Sequence, residues 1–278
     1  MHLLRTVPGG FVDDSEGVVR VDQQPAPIVI LSSADTTLSL LAGVVPELGD
    51  DFPAVRLTNV SFLRQPASVD FYVDDVLAHA RVIIVDHLGG QSYWPYGIER
   101  LVALAQARGG PQLVMFSGDL QEDPHLQALS TAAPAFCHQL WRYLREGGRQ
   151  NARHFMLSIA REVFAMPVRP EPVRVLPAAT LYWPGGELAT LDEVRSHWQA
   201  DAPVVALLFY KAHLQAANLA SFDALIQSLR EQGLSPLPLA ITSLKDAFSL
   251  EILRQLCAEV QADLVLNTTA FAAASPGA

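Results

Sequence analysis

The sequence predicts an α/β fold made of two doubly wound, mostly parallel sheet units with an intervening helical segment. Two observations lead to this prediction. Short apolar, β-branched runs alternate with stretches whose apolar residues recur at helical spacing, and this alternation occurs twice along the chain. Strands that alternate with helices form parallel sheets covered by helices on both faces. Half of the 278 residues are apolar, which is enough for large cores.

The first unit shows the alternation most clearly. Apolar runs predict strands over residues 28–31, 55–57, 82–85 and 113–116. Helical spacing predicts helices over residues 35–45, 69–79 and 98–107. In this order a helix returns the chain to the starting edge of the sheet before each new parallel strand.

The middle of the chain is helical and then rich in proline. Residues 124–164 predict continuous helix that is broken at Pro134 and at Gly147–Gly148. Five prolines follow within residues 167–184, and proline fixes φ and removes a backbone donor. We therefore predict an N-terminal α/β domain with a helical extension over residues 1–166, and a linker with an extended or edge-strand portion over residues 167–190.

The second unit is predicted over residues 191–278. Apolar runs predict strands over residues 204–209, 237–241 and 264–266, and helical spacing predicts helices over residues 222–232 and 250–260. A three-stranded parallel sheet without its next crossover helix leaves an apolar face uncovered. We therefore expect a truncated second unit and a chain that is the N-terminal piece of a longer polypeptide.

Composition excludes several classes of protein. The formal net charge of −10 argues against nucleic-acid and anionic-membrane partners, because both require clustered positive charge. No apolar run reaches the roughly 18 residues of a membrane span. The N-terminus lacks the pattern of a signal peptide, and two cysteines make no disulfide framework. We therefore predict a cytoplasmic protein.

Motifs for common cofactors are missing. The sequence contains no GxxxxGK[ST] phosphate-binding loop and no GxG dinucleotide signature. G-x-S-x-G and H-E-x-x-H are absent as well. The eight histidines are scattered, and two cysteines are too few for a thiolate zinc site. We therefore predict no resident metal site.

The first candidate site follows the predicted strand over residues 82–85. There Asp86 and His87 lead into a glycine-rich turn that carries Tyr93, Trp94 and Tyr96. Ligands of open α/β sheets bind beyond the carboxyl ends of the strands. Two interpretations are open: the three aromatic rings receive a flat ligand, or they cover the edge of the sheet.

The second candidate site follows the strand over residues 204–209. Lys211, His213 and Asn218 offer a positive charge, a proton acceptor near neutral pH and an amide donor. Asn267 ends the third strand on the same edge of the sheet. A structural role for His213 is the alternative.

Five segments together resemble the large subunit of the aerobic, ATP-dependent cobaltochelatase (CobN type), which is related to the magnesium chelatase large subunit. They are residues 1–17 (MHLLRTVPGGFVDDSEG), 88–97 (LGGQSYWPYG), 208–219 (LFYKAHLQAANL), 237–246 (LPLAITSLKD) and 264–271 (LVLNTTAF). The segments occur in order across the whole chain. Large subunits of this family are much longer, so the resemblance covers their N-terminal portion only.

The resemblance implies a role in cobalamin biosynthesis. The large subunit of this metal–nitrogen bond-forming ligase holds the tetrapyrrole-derived corrinoid hydrogenobyrinic acid a,c-diamide while Co²⁺ is inserted. An AAA-type ATPase subunit hydrolyses ATP, and a second accessory subunit completes the multisubunit complex. Co²⁺ is therefore a substrate, this chain is expected to bind no cofactor, and alone it is expected to be inactive.

The same resemblance gives the candidate residues their roles. Removing the ring N–H protons requires a base, for which His87 and His213 are the candidates. Tyr93, Trp94 and Tyr96 are expected to stack on the ring edge, and Lys211 and Asn267 to bind its polar groups. Two alternatives remain: a module that captures a corrinoid without catalysis, and a structural domain that docks the ATPase subunits.

Overall fold

The computed structural model describes residues 17–269, which form two compact units. The first unit contains residues 17–146 and 150–174, and the second contains residues 147–149 and 175–269. Each unit has a four-stranded sheet, which confirms the predicted α/β class with two mostly parallel sheets. The first of the five family-like segments, apart from its last residue, and Ala270 and Phe271 of the fifth lie outside the described residues.

Sheet A, in the first unit, is entirely parallel and has the strand order β2-β1-β3-β4. Its strands are β1 (Ile28–Ser32), β2 (Val55–Asn59), β3 (Val82–His87) and β4 (Gln112–Ser117). All four predicted strands are present. The two central strands, β1 and β3, are buried along their whole length, as expected for a sheet covered on both faces.

Six α-helices lie within residues 17–174, with four short 3₁₀ helices between them. They are α1 (Asp35–Val44), α2 (Pro66–Asp75), α3 (Pro95–Gln106), α4 (Pro124–Gln127), α5 (Pro134–Glu146) and α6 (Arg149–Phe164). The helix predicted over residues 69–79 is two elements, because α2 ends at Asp75 and a 3₁₀ turn follows over Leu77–His79. The long helix predicted over residues 124–164 is interrupted near both predicted points: residues 128–133 separate α4 from α5, which begins at Pro134, and Gly147 and Gly148 separate α5 from α6.

Sheet B, in the second unit, has the strand order β5-β7-β6-β8. Its strands are β5 (Ala179–Leu181), β6 (Val204–Tyr210), β7 (Ser235–Ile241) and β8 (Leu264–Asn267). The three predicted parallel strands are present. β5 is a fourth strand, antiparallel to β7, and the three-stranded expectation was wrong on this point. β5 lies within residues 167–190, where the proline-rich sequence predicted an edge-strand portion.

Two prolines stand inside β7, although the strand is central. The backbone N–H of Ser235 donates to the Pro203 carbonyl at 2.8 Å, so odd-numbered residues of β7 bond towards β6. The carbonyl of Pro238 accepts from Tyr182 N at 3.1 Å, on the opposite side. The missing N–H groups of Pro236 and Pro238 therefore point to the side that β5 covers only in part, where a proline costs least.

Four helices complete the second unit: α7 (Leu191–Arg195), α8 (Lys211–Gln215), α9 (Ala220–Glu231) and α10 (Ala247–Val260). β8 stands at the edge of sheet B, and its Leu264 and Val265 are 57% and 48% exposed. None of the helices within residues 17–269 combines the length and apolarity needed to cross a bilayer.

Candidate functional site

The carboxyl ends of β1, β3 and β4 meet at one edge of sheet A, which we call rim A (Ser32, Ser33, Asp86, His87, Ser117 and Gly118). Strand register places Ser32 beside Asp86 and His87 beside Ser117. The backbone N–H of Gly118 donates to the His87 carbonyl at 2.7 Å. A Cβ atom at Gly118 would lie 2.9 Å from the Leu88 nitrogen, so this close approach requires glycine.

Asp86 is the charged centre of rim A. Its carboxylate is fully buried and accepts from Ser32 Oγ at 2.8 Å and from Arg145 Nη2 at 2.6 Å. Arg145, on α5, also donates to the Gly118 carbonyl. A buried carboxylate needs such partners, because an unpaired charge in an apolar interior is very costly. The network therefore holds α5 against the ends of β3 and β4.

His87 is buried in the same rim. Its Nδ1 lies 3.1 Å from Ser33 Oγ, which also accepts from the Leu88 N–H. Its Nε2 is buried and has no hydrogen-bond partner of good geometry among residues 17–269. Burial lowers the pKa of His87, and the opposing effects of the Gly90 carbonyl and the Asp86 carboxylate are smaller. The imidazole is therefore neutral at neutral pH.

The loop that leaves β3 covers His87. Gly89 and Gly90 have φ values of +96° and +70°, which favour glycine over any other residue. A Cβ at Gly89 would lie 2.6 Å from Cγ of Tyr93, so the Tyr93 ring rests directly on the glycine backbone. Tyr93 itself is 55% exposed. Of the three predicted ring-binding aromatics, Tyr93 is the one that faces solvent.

Trp94 occupies the core of the first unit. It is 5% exposed, and its Nε1 donates to the Leu63 carbonyl at 2.8 Å. A Cβ at Gly97 would lie 1.9 Å from Cε2 of Trp94, so the indole fills the space that the glycine leaves free. This placement corresponds to the interpretation in which an aromatic ring covers the sheet edge.

Tyr96 is tied to helix α2. Its hydroxyl donates to the Asp70 carboxylate at 2.8 and 2.9 Å, and Arg100 Nε donates to the same carboxylate at 2.8 Å. The hydrogen bond to Asp70 raises the pKa of Tyr96. The half-buried ring thus already has a structural contact that joins α2 to α3.

The second predicted site lies at the carboxyl ends of β6 and β8, which we call rim B (Lys211, His213 and Asn267). Register places Asn267 beside Leu208, three residues before Lys211. Lys211 Nζ donates to the Leu176 carbonyl at 3.3 Å, and Asn267 Oδ1 accepts from Thr269 N at 3.0 Å. The rim brings Lys211 and Asn267 to one edge, but no hydrogen bond joins them within residues 17–269.

His213 stands on α8, half-buried, with its ring edge-on to Phe222 at a centroid distance of 4.8 Å. Burial lowers the pKa of this imidazole as well. The end of α8 is fixed by two glycines: Gly148 N donates to the Gln215 carbonyl at 2.7 Å, and a Cβ at Gly147 would lie 2.8 Å from Cβ of Gln215. This turn positions the short helix that carries Lys211 and His213.

Sequence reasoning missed the polar network of rim A. The sequence predicted the strands that end near Ser32, Ser33 and Asp86. Because parallel strands end at the same edge of a sheet, the proximity of these residues could have been predicted. Arg145 had no such signal, because it lies 59 residues from Asp86 on a helix. Within residues 17–269, no group of three or more histidine, cysteine, aspartate or glutamate side chains is arranged to hold a metal ion.

Comparison with known proteins supports the resemblance. The family model CobN/Magnesium Chelatase matches residues 141–278. Two curated relatives, both named aerobic cobaltochelatase subunit CobN, align with 100% of this chain. The relative from Pseudomonas aeruginosa is 45% identical over 278 residues, and the one from Sinorhizobium sp is 36% identical over 286 residues. In both cases the chain spans only 22% of the relative's length.

A solved structure agrees with these matches. The structure described as the catalytic subunit of cobaltochelatase from Mycobacterium tuberculosis superposes with a TM-score of 0.67 and 25% sequence identity. The match covers 87% of this chain and 18% of that chain. The predicted resemblance to the CobN/magnesium chelatase family is thereby confirmed, over residues 141–278 by the family model and along the whole chain by the two CobN subunits.

Proposed function

We propose that this chain is the N-terminal portion of the large subunit of an ATP-dependent cobaltochelatase. That subunit would bind hydrogenobyrinic acid a,c-diamide for Co²⁺ insertion in aerobic cobalamin biosynthesis, as a metal–nitrogen bond-forming ligase. The observation that carries the proposal is the alignment of the entire chain with two subunits named aerobic cobaltochelatase subunit CobN, at 45% and 36% identity.

The division of labour follows from what metal insertion requires. A base must reach the ring N–H groups, and Co²⁺ must exchange its water ligands for moderate nitrogen or oxygen donors. In the described structure Nε2 of His87 is covered by protein, so the ring nitrogens of a macrocycle have no access to it. We therefore assign proton removal to residues other than His87 in this conformation, and binding or support to this chain.

Rim B is the better candidate for contact with the macrocycle. The Lys211 ammonium has a single hydrogen bond within residues 17–269, to a backbone carbonyl, and retains donors for a peripheral carboxylate of the corrinoid. Asn267 offers an amide at the same rim, and the neutral imidazole of His213 offers a proton acceptor. Tyr93 is the exposed ring for stacking in the first unit.

The remaining parts of the proposal concern partners. ATP would be hydrolysed by an AAA-type ATPase subunit, with a second accessory subunit in the complex, and Co²⁺ would be a substrate. This assignment agrees with a sequence that has no phosphate-binding loop. We propose no resident cofactor for the chain, and a cytoplasmic location.

A second candidate function is a corrinoid-binding or partner-docking module that takes no part in the chemistry. The observation in its favour is the burial of His87 and Trp94, two of the residues predicted to handle the ring. In this role the two units would hold the macrocycle or the ATPase subunits while the longer polypeptide supplies the reacting groups.

Two measurements test the proposal. Cobalt insertion into hydrogenobyrinic acid a,c-diamide is followed by absorbance with the full-length subunit, both partner subunits and ATP. Absence of insertion would overturn the cobaltochelatase assignment. Titration of the 278-residue chain with the same macrocycle then separates the two candidates, because a saturable spectral change shows direct contact and an unchanged spectrum favours docking.

A further inference from the structure

Arginine is concentrated in one part of an otherwise acidic chain. Residues 142–174 contain seven arginines and only three carboxylates, whereas the whole chain carries a formal charge of −10. Three exposed arginines lie in this part of the chain, and a fourth, Arg81, packs on it. We call these four residues the arginine surface: Arg81, Arg153, Arg161 and Arg169. A local excess of like charge raises the free energy of the folded protein unless opposite charges lie close to it.

Helix α6 forms the middle of the surface. Arg153, Leu157, Arg161 and Phe164 follow one another at spacings of four, four and three residues, so they share one side of the helix. Other sides of α6 are buried in the first unit. The nearest carboxylate on the helix, Glu162, is turned about 100° away from Arg161. The exposed stripe therefore carries positive charge and apolar carbon but no acid.

Arg81 extends the stripe at the carboxyl end of α6. Its guanidinium lies over the Phe164 ring, 4.7 Å from the centroid, and its Nη2 donates to the Val163 carbonyl at 3.1 Å. A cation at the end of a helix is stabilised by the free carbonyls there. Arg81 is thus held in place without losing its charge to a carboxylate.

Arg169 lies on a proline-rich segment that is fastened beside α6. The backbone of Glu171 donates to His154 Nδ1 at 3.1 Å, and Asn151 exchanges two hydrogen bonds with the backbone of Arg174, at 2.7 and 2.9 Å. The carboxylate of Glu171 lies 3.4 Å from His154 Nε2. Among the described residues this carboxylate contacts His154 and forms no ion pair with Arg169.

No member of the arginine surface forms an ion pair with any described residue. The other arginines include several that do: Arg20 with Asp75, Arg100 with Asp70 and Arg195 with Glu259. An unpaired guanidinium retains its planar fork of donors, which matches a carboxylate. Four such groups around Leu157 and Phe164 resemble a protein interface, with apolar carbon at the centre and charge at the border.

We infer that the arginine surface docks an acidic face of a partner protein. Resting on the proposed function, the inference identifies that partner as a subunit of the chelatase complex. A protein partner fits better than a nucleic acid or an anionic membrane, because the net charge of −10 repels polyanions that extend beyond the surface. Arg153 and Arg161 are about 12 Å apart along α6, which is the scale of one helix-sized contact.

The test is a double charge reversal, Arg153→Glu with Arg161→Glu, in the full-length subunit. Association with the purified ATPase subunit and with the accessory subunit is measured at about 0.15 M and about 1 M salt. The association rate with one of them is expected to fall roughly tenfold at low salt and much less at high salt. The matched control, Arg108→Glu with Arg254→Glu, makes the same change of charge at exposed positions elsewhere and is expected to stay within about twofold.

The outcomes separate the inference from the proposed function. Unchanged association of the Arg153/Arg161 variant, with normal insertion by the unaltered enzyme, overturns the docking surface and leaves the cobaltochelatase assignment intact. Failure of the unaltered subunit to bind either partner or to insert cobalt overturns both. Arginine-dependent binding to anionic vesicles or duplex DNA in place of the subunits overturns the choice of a protein partner. Melting temperatures of all variants control for folding.

Discussion

The two sheet rims present the same topological feature with opposite exposure. Rim A is closed: Asp86 and His87 are 1% and 4% exposed, and Asp86 is bound by Ser32 and Arg145. Rim B is open: Lys211 and His213 are half-buried, and Asn267 is exposed. The carboxyl edge of a parallel sheet is where ligands bind, but burial decides whether its polar groups serve stability or recognition. Rim A stabilises the first unit, whereas rim B remains available to a ligand.

The largest expected effect is on the buried ion pair of rim A. Asp86→Ala leaves the Arg145 guanidinium, whose side chain is 12% exposed, without its carboxylate. We expect the free energy of unfolding to fall by about 3–5 kcal/mol in urea titrations, because removing one partner of a buried ion pair is strongly destabilising. Asp75→Ala, which breaks the exposed pair with Arg20, is the control and should cost far less. Equal costs for the two variants would contradict a closed rim A.

The aromatic support of rim A is the next target. Gly97→Ala places a methyl group 1.9 Å from the Trp94 ring and should destabilise the protein by about 3 kcal/mol, with a change in tryptophan fluorescence. Gly43→Ala on α1 has no atom within 4 Å and should be neutral or slightly stabilising. If the Gly97→Ala protein were as stable as the Gly43→Ala protein, the Trp94 side chain could adopt another position at no cost. Its close packing on Gly97 would then not contribute to stability.

Acid pH should distinguish the two histidines. Burial holds the folded-state pKa of His87 below its unfolded value of about 6.5, so its contribution to stability is complete above that pH and is lost as pH falls below it. Replacing His87 with Gln should remove up to about 1.4 kcal/mol per pH unit from the slope of unfolding free energy between roughly pH 6.5 and 5.

His213 supplies the comparison. Its pKa is lowered in the same direction by burial, but the ring is half-exposed. The slope lost in the His213→Gln protein should therefore be smaller than the slope lost in the His87→Gln protein. A larger slope change for His213 would reverse the assignment of closed and open rims.

The smallest effect on stability, and the sharpest on binding, is expected at rim B. Lys211→Ala removes the ammonium that we propose for a peripheral carboxylate, and should raise the KM for the macrocycle roughly tenfold in the assembled enzyme, with little change in kcat. The only other lysine, exposed Lys245, is the matched control. Identical KM values for the Lys211→Ala and Lys245→Ala enzymes would exclude rim B from substrate binding.

Most of the fold follows from local sequence. Continuous β-branched runs such as residues 82–85 identify buried strands, because only a sheet covered on both faces accommodates them. β5 escaped recognition as a definite strand because three residues between prolines carry no periodicity, and the strand exists only through its pairing with β7. Helix ends differ from prediction where proline starts a helix, as at Pro66 and Pro95.

The candidate sites were only partly predictable. The predicted strands gave the positions of His87, Lys211 and Asn267 at the carboxyl edges of the sheets, because parallel topology fixes where strand ends lie. The burial of Trp94 depends on a carbonyl 31 residues away and on the space above Gly97, neither of which has a local pattern. Asp86 likewise finds Arg145 only through the packing of α5.

The prolines of β7 limit where an additional strand could form hydrogen bonds with sheet B. On its β5 side, positions 236 and 238 offer acceptors but no N–H donors, so an intruding strand longer than the three residues of β5 would find no continuous ladder there. At the opposite edge of sheet B, β8 contains no proline, and its Leu264 and Val265 are about half exposed. A further strand therefore finds no continuous hydrogen-bonding ladder on the part of β7 that β5 leaves uncovered, whereas the edge of β8 offers one within the described residues.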